Sequence, residues 1–180
     1  MPAHSNNKYS ATLRALHWTM FALVALAYAT INLRSVFERN SAPRLLMVES
    51  HFLLGMLVLL LVVPRLLARW RSPQPPIAPP LSAPLRIGSH IGHALLYGFL
   101  IAQPLLGMAC RLLGGRGIAL PFTDAVIPWP IEWVNKEWSG ILEEAHEWLG
   151  TAFYWVIGLH IAAALWHAFV RRDNALRRMW

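Results

Sequence analysis

Residues 145–170 read AHEWLGTAFYWVIGLHIAAALWHAFV, an apolar run of membrane-spanning length with imidazoles at His146, His160 and His167. The three are spaced by fourteen and then seven residues. At about 100° per residue, both steps return almost to the same helical face. The longer step rises roughly 21 Å along a helix, about two-thirds of a bilayer's hydrocarbon thickness. A helix of this kind presents imidazole near both faces of a membrane and suits two centres at two depths. Histidine inside a membrane is costly, so a functional role is the first expectation for it.

Working outward, three more stretches are long enough to cross a bilayer: Leu13–Leu33, Leu45–Leu67 and Ile87–Leu113. Each approaches or exceeds the roughly 20 residues required. With Ala145–Val170 they hold seven of the eight histidines. Backbone polar groups find no water inside a bilayer, so these stretches must be helices. The expected fold is therefore all-α, an integral membrane four-helix bundle of alternating direction, forming one domain over residues 1–180. Composition agrees, because 56% hydrophobic and 14% charged residues lie far from the balance of a soluble domain. Lys8 and Arg14 ahead of a run ending in Ala27-Tyr28-Ala29 resemble a cleaved leader. His17 inside that run, and the need to orient three later spans, favour a retained first helix.

The net charge of +7 could suggest nucleic acid, but its distribution points to topology. Lys8, Arg14, Arg65, Arg69, Arg71, Arg86, Arg171, Arg172, Arg177 and Arg178 fall on one side of the alternating spans. Arg34, Arg39, Arg44, Arg111, Arg116 and Lys136 fall on the other, with eight of the nine acids. Ten cations against six place both termini in the cytoplasm. No nucleic-acid motif accompanies the basic excess. The second loop, from Ser72 to Pro80, is proline-rich and should be extended and stiff. In the outer third loop, Ile131, Val134, Trp138, Ile141 and Leu142 recur at helical spacing opposite Glu132, Asn135, Lys136 and Glu137. That pattern predicts a short helix lying on the membrane surface. Trp129, Trp133, Trp138 and Trp148 fit an interfacial aromatic belt. Pro104 and Pro64 should kink the third and second spans.

Cys110 is the only cysteine, which excludes an internal disulfide and a thioether haem attachment. Alternating direction gives each histidine a depth. His51 and His146 lie near the outer surface. His17, His90, His93, His160 and His167 lie toward the inner one, a surplus that leaves the inner pairing open. Two imidazoles facing each other across a bundle are what low-spin haem iron needs. Gly55 and Gly150, each four residues after an outer histidine, would leave flat space for a porphyrin, or would simply let membrane helices pack closely. A zinc-type site is less well supported, since it usually adds Cys, Asp or Glu ligands. Glu49, two residues before His51, is the only buried-side carboxylate near the group.

These residues resemble the bacterial cytochrome b561 family over nearly the whole chain. The resemblance is carried by the closing segment Gly158–Met179, by Lys8-Tyr9-Ser10 with Leu16-His17-Trp18, and by His90-Ile-Gly-His93 with Leu96-Tyr97 and Gln103-Pro-Leu-Leu-Gly107. It implies two non-covalent b-type haems, with His51 and His146 ligating the outer iron and His17 and His160 the inner one. His93 and His167 are left for haem propionate or quinone contacts. It also implies electron exchange with the quinone pool, ubiquinone being the expected partner, and for some members oxidation of superoxide. Arg34, Arg39, Arg44, Arg116 and Lys136 could attract that anion, although six acidic residues in the third-loop region argue against a uniformly positive mouth. Two other roles are open: a haem-bearing anchor for a partner dehydrogenase or periplasmic redox protein, and a haem-free transporter of metal or protons.

Overall fold

The computed structural model describes residues 8–119, 123 and 125–180; His4 and residues 120–122 and 124 of the third loop lie outside them. Four long helices dominate: α1 (Ala11–Leu33), α2 (Ala42–Arg71), α3 (Ala83–Leu113) and α4 (Lys136–Trp166). All four are long and apolar enough to cross a membrane. Each begins ahead of its apolar run, and at three of the four starts a side-chain cap fixes the first turn. Ser10 Oγ accepts from Leu13 N, Ser41 Oγ from Arg44 N and Asn135 Oδ1 from Trp138 N. Helices α2 and α3 both continue through their internal prolines, Pro64 and Pro104.

The third loop departs from expectation. Only Ile131–Trp133 forms a turn of 3-10 helix, and from Lys136 the chain is already the start of α4. The apolar periodicity of Trp138, Ile141 and Leu142 therefore belongs to an extension of the fourth helix rather than to a separate surface helix. Asn135 supplies the cap, and no proline follows it to stop the helix before the membrane run. A two-stranded antiparallel hairpin, β1 (Ile118–Ala119) with β2 (Val126–Ile127), precedes this turn.

Helices adjacent in sequence pack on one another, α1 against α2, α2 against α3 and α3 against α4. Helices α1 and α4 also meet through Tyr28 Oη donating to Gly150 O at 2.8 Å and Asn32 Nδ2 donating to Tyr154 Oη at 2.7 Å. The fully buried apolar core is small among the described residues: Leu13, Met20, Val58, Val62 and Phe153. Met20, Val58 and Val62 form one cluster with Leu23, Val24, Tyr97, Leu100 and Ile101 packed around it. Trp148, Trp155, Leu159, Phe169 and Leu60 instead lie exposed on the helix exteriors, where lipid is their natural solvent.

Both ends of the described chain lie at the same end of the bundle, because Tyr9 N donates to Arg178 O at 2.9 Å and Trp18 Nε1 to Met179 O at 2.9 Å. This end is termed inner below. After α4 the chain makes a wide π-helical turn over His167–Arg171, and Arg172 adopts the left-handed conformation with φ 56°. The turn folds Asp173 back under the bundle, where its side chain is wholly buried. His167 Nδ1 donates to its Oδ2 at 2.6 Å, Arg171 Nε to the same oxygen at 2.9 Å, and Ala175 N to Oδ1 at 2.9 Å. Burial pushes the Asp173 carboxyl up, but these three donors outweigh it and hold the group below the usual carboxylate range. The tail is then tied to the proline-rich loop. Asn174 Nδ2 donates to Pro76 O, Ala78 N to Asn174 Oδ1, Arg171 Nη2 to Pro79 O and Pro80 O, and Arg178 Nη1 to Pro75 O.

Candidate functional site

The bundle gathers its imidazoles at two levels, and every helix contributes one group to each. At the outer level, His51 on α2 faces His146 on α4, with ring centres 6.1 Å apart and planes at 81°. Helix α1 supplies a carbonyl, since His51 Nδ1 donates to Ala27 O at 2.8 Å. Helix α3 does the same for the partner, His146 Nδ1 donating to Gln103 O at 3.0 Å. Gln103 Nε2 donates back to His146 O at 3.1 Å. A carbonyl can only accept, so each Nδ1 carries the proton and each Nε2 keeps a lone pair, the tautomer a metal ligand needs.

At the inner level, His17 on α1 lies 6.4 Å from His160 on α4, ring centre to ring centre, with planes at 65°. His93 on α3 lies 5.8 Å from the same His160 at 72°, and its Nδ1 donates to Ser89 O at 2.7 Å. Helix α2 contributes Arg65, whose Nη2 donates to His17 Nδ1 at 2.8 Å. His90 is exposed and takes no part. His167 lies beyond this level, held at Nδ1 by Asp173. The Met20–Val58–Val62 cluster comes from chain segments between the two levels.

These distances can be tested against one iron held from both sides. Metal–imidazole bonds of about 2 Å, with roughly 1 Å more from each nitrogen to its ring centre, put two axial rings roughly 6 Å apart. The outer pair and both inner pairings meet that spacing. Glu49 pairs through Oε1 with Arg111 at 2.9 Å, whose guanidinium also covers the Phe52 ring. Among the described residues, no group of three or more His, Cys, Asp or Glu side chains could hold a metal ion unaided. The donor set thus fits a metal whose remaining ligands come with it, as porphyrin nitrogens do.

The two outer glycines behave differently. A side chain at Gly55 would meet nothing within 4 Å, so open space adjoins the helix there. At Gly150 a Cβ would lie 2.7 Å from Gln103 Nε2, so that position seats the glutamine instead of leaving a flat surface. A third glycine, the Gly107 that closes the Gln103–Gly107 segment, also bears on this level: a Cβ there would fall 3.0 Å from His146 Cε1. Helix α3 therefore holds the His146 ring by a carbonyl at Gln103 and by a bare backbone one turn later. Gly107→Val should push the ring aside at a cost of about 1–3 kcal/mol and lower haem content at the outer level. Gly107→Ala should do so only slightly; equal haem content per chain in wild type and the valine variant would refute this.

Comparison with known proteins agrees with the chemistry. Residues 8–180 match the family model described as prokaryotic cytochrome b561. The chain is 37% identical over 175 residues to a protein of Yersinia pestis named probable superoxide oxidase CybB, covering 97% of this chain and 96% of that one. It is 34% identical over 174 residues to cytochrome b561 homolog 1 of Escherichia coli (strain K12), covering 96% and 97%. Identity to cytochrome b561 homolog 2 of the same organism is 27% over 179 residues, covering 96% and 90%. With four membrane-length helices, paired imidazoles in their core and a match along almost its entire length, the chain belongs to the prokaryotic cytochrome b561 family of multi-pass membrane electron-transfer proteins, whose cofactor is b-type haem.

Proposed function

We propose that this protein carries single electrons across a bacterial inner membrane through two b-type haems, from superoxide at the outer face to ubiquinone. The observation that carries the reading is that one helix, α4, presents His146 to His51 at 6.1 Å and His160 to His17 at 6.4 Å. His51 and His146 would hold the outer iron, and His17 and His160 the inner one. His93 and His167 would meet haem carboxylates or quinone at the inner end. The excess of cations at that end supports cytoplasmic termini.

Bound haem supplies reversible one-electron carriage; the chain supplies ligation, spacing and dielectric. Ala27 O and Gln103 O orient the outer imidazoles, and the packing of Met20, Val58 and Val62 keeps water from the space between levels. Asp173 holds His167 by Nδ1, which leaves Nε2 to accept a hydrogen bond from a reduced quinone or to pass on a proton. At the outer mouth Arg34 and Arg116 stand 3.9 and 4.0 Å from Glu147 and Glu143, so any attraction for superoxide is local rather than a broad positive field.

The naming of the Yersinia pestis relative as a probable superoxide oxidase supports this reading over a passive subunit. The second reading, an anchor that accepts electrons from a partner protein, draws support from Trp133, Trp138 and Trp148, all well exposed at the outer end. A reduced-minus-oxidised spectrum with haem quantified per chain comes first. Two b-type haems are expected, and a chain without them would be the haem-free transporter. Stopped-flow mixing with superoxide then decides between the others: rapid haem reduction followed by ubiquinone reduction supports the oxidase, while inert haems with a copurifying partner support the anchor.

A further inference from the structure

Arg65 is the contribution of α2 to the inner level, and its surroundings lack a counter-charge. Its Nη2 donates to His17 Nδ1 at 2.8 Å, its Nε to Tyr97 Oη at 3.3 Å, and its Nη1 approaches Met20 Sδ at 3.9 Å. The guanidinium carbon stands 5.6 Å from the centre of the Tyr97 ring. Every one of these partners is neutral, and among the described residues no carboxylate pairs with it. A half-buried guanidinium within a membrane span is costly without an anion.

The contact with His17 adds a second constraint. Arginine has donors and no acceptor, so His17 Nδ1 must accept. A neutral imidazole that accepts at Nδ1 carries its proton on Nε2, and that nitrogen then has no lone pair for iron. His51, His146 and His93 all show the reverse arrangement, donating from Nδ1 to a backbone carbonyl. For His17 to ligate, its proton must pass from Nε2 to Nδ1, and Arg65 must move to another acceptor.

We propose that Arg65 is the binding site for a carboxylate of the inner haem, and that by taking this carboxylate it releases His17 to ligate. The proposal rests on the dihaem reading above. A porphyrin carboxylate supplies both the missing anion and the bidentate acceptor that a guanidinium fork fits best. The exchange moves one proton between the two nitrogens of His17 and needs no other reactant. It also places a positive charge beside one haem alone. Reduction adds negative charge, so the cation stabilises the reduced inner haem and raises its potential. The outer imidazoles have only carbonyl and amide groups of Ala27 and Gln103 at their hydrogen-bonding positions.

The test is a spectroelectrochemical titration of purified Arg65→Gln and Arg65→Lys beside wild type, with haem quantified in each. Glutamine is expected to lower the midpoint potential of one b-haem and leave the other unmoved, or to lose that one haem. Lysine, which keeps the charge, should retain both haems and a potential nearer to wild type. Unmoved midpoints in a fully loaded glutamine variant would overturn the proposal, as would equal shifts at both haems. Loss of the same haem from both variants would also overturn it, because geometry rather than charge would then be at work. A wild type with no b-type spectrum defeats the dihaem reading itself, a result visible before any variant is made.

Discussion

Replacing His146 with alanine should halve the b-haem content and abolish electron passage from the outer face, leaving one b-type spectrum intact. Among the described residues the outer level offers no third imidazole as a substitute ligand. His51 and His146 are the imidazoles there, and Glu49, two residues before His51, is paired with Arg111. Truncation also removes the side chain that occupies Gln103 O and abuts Gly107, so a small cavity replaces a ligand. The inner level should survive, because its groups come from different turns of every helix and the Met20–Val58–Val62 cluster packs the bundle on its own. Haem per chain by pyridine haemochromogen, together with the rate of ubiquinone reduction by an outer one-electron donor, reads the outcome. Loss of both haems would show that the two levels do not load independently, and retention of both would remove His146 from the ligand set.

Hydropathy made the four helices legible, because a bilayer demands a long uninterrupted apolar run and leaves the backbone a single solution. Their ends were not legible from it. Asn135 starts α4 nine residues before the apolar run at Ala145, and a side-chain cap carries no hydropathy signal. The same extension absorbed the periodicity at Trp138 and Ile141 that resembled a separate surface helix. Histidine depth was also legible, since direction alternates and helical rise is fixed. That logic sorted His51 and His146 from the rest and stalled at the inner end, where five histidines competed.

What the sequence hid were the groups that act on the imidazoles. Ala27 O and Ser89 O are backbone acceptors and could sit under any residue name. Gly107 is legible in sequence only as the end of the Gln103–Gly107 segment, and its proximity to His146 Cε1 is what gives it a specific role. Arg65 entered the sequence argument as a topological cation, because its position near the inner end of α2 satisfies the orientation rule. Its hydrogen bond to His17 spans two helices. Asp173 was likewise the single acid on the basic side, and its burial against His167 and Arg171 depends on the left-handed turn at Arg172.

The inner level calls for a different substitution, because three imidazoles meet there and only one of them is shared. His160 lies 6.4 Å from His17 and 5.8 Å from His93, so any iron held at this depth by two imidazoles uses His160. On the proposed dihaem path, His160→Ala should therefore remove the inner haem completely, leave the outer spectrum, and stop delivery to the proposed quinone acceptor while the proposed outer donor still reduces what remains. The two single variants of its partners then separate their roles. His17→Ala should also remove the inner haem, as the proposed His17–His160 pairing requires. His93→Ala should keep it, with any loss confined to the rate or affinity of quinone reduction. The pair of variants is decisive because His93 already presents an unprotonated Nε2 through its bond to Ser89 O, whereas His17 is bonded at Nδ1 to Arg65. Haem lost from His93→Ala and kept in His17→Ala would reassign the inner ligand to α3. Arg65 would then be a fixed partner of His17 rather than a receptor for haem carboxylate.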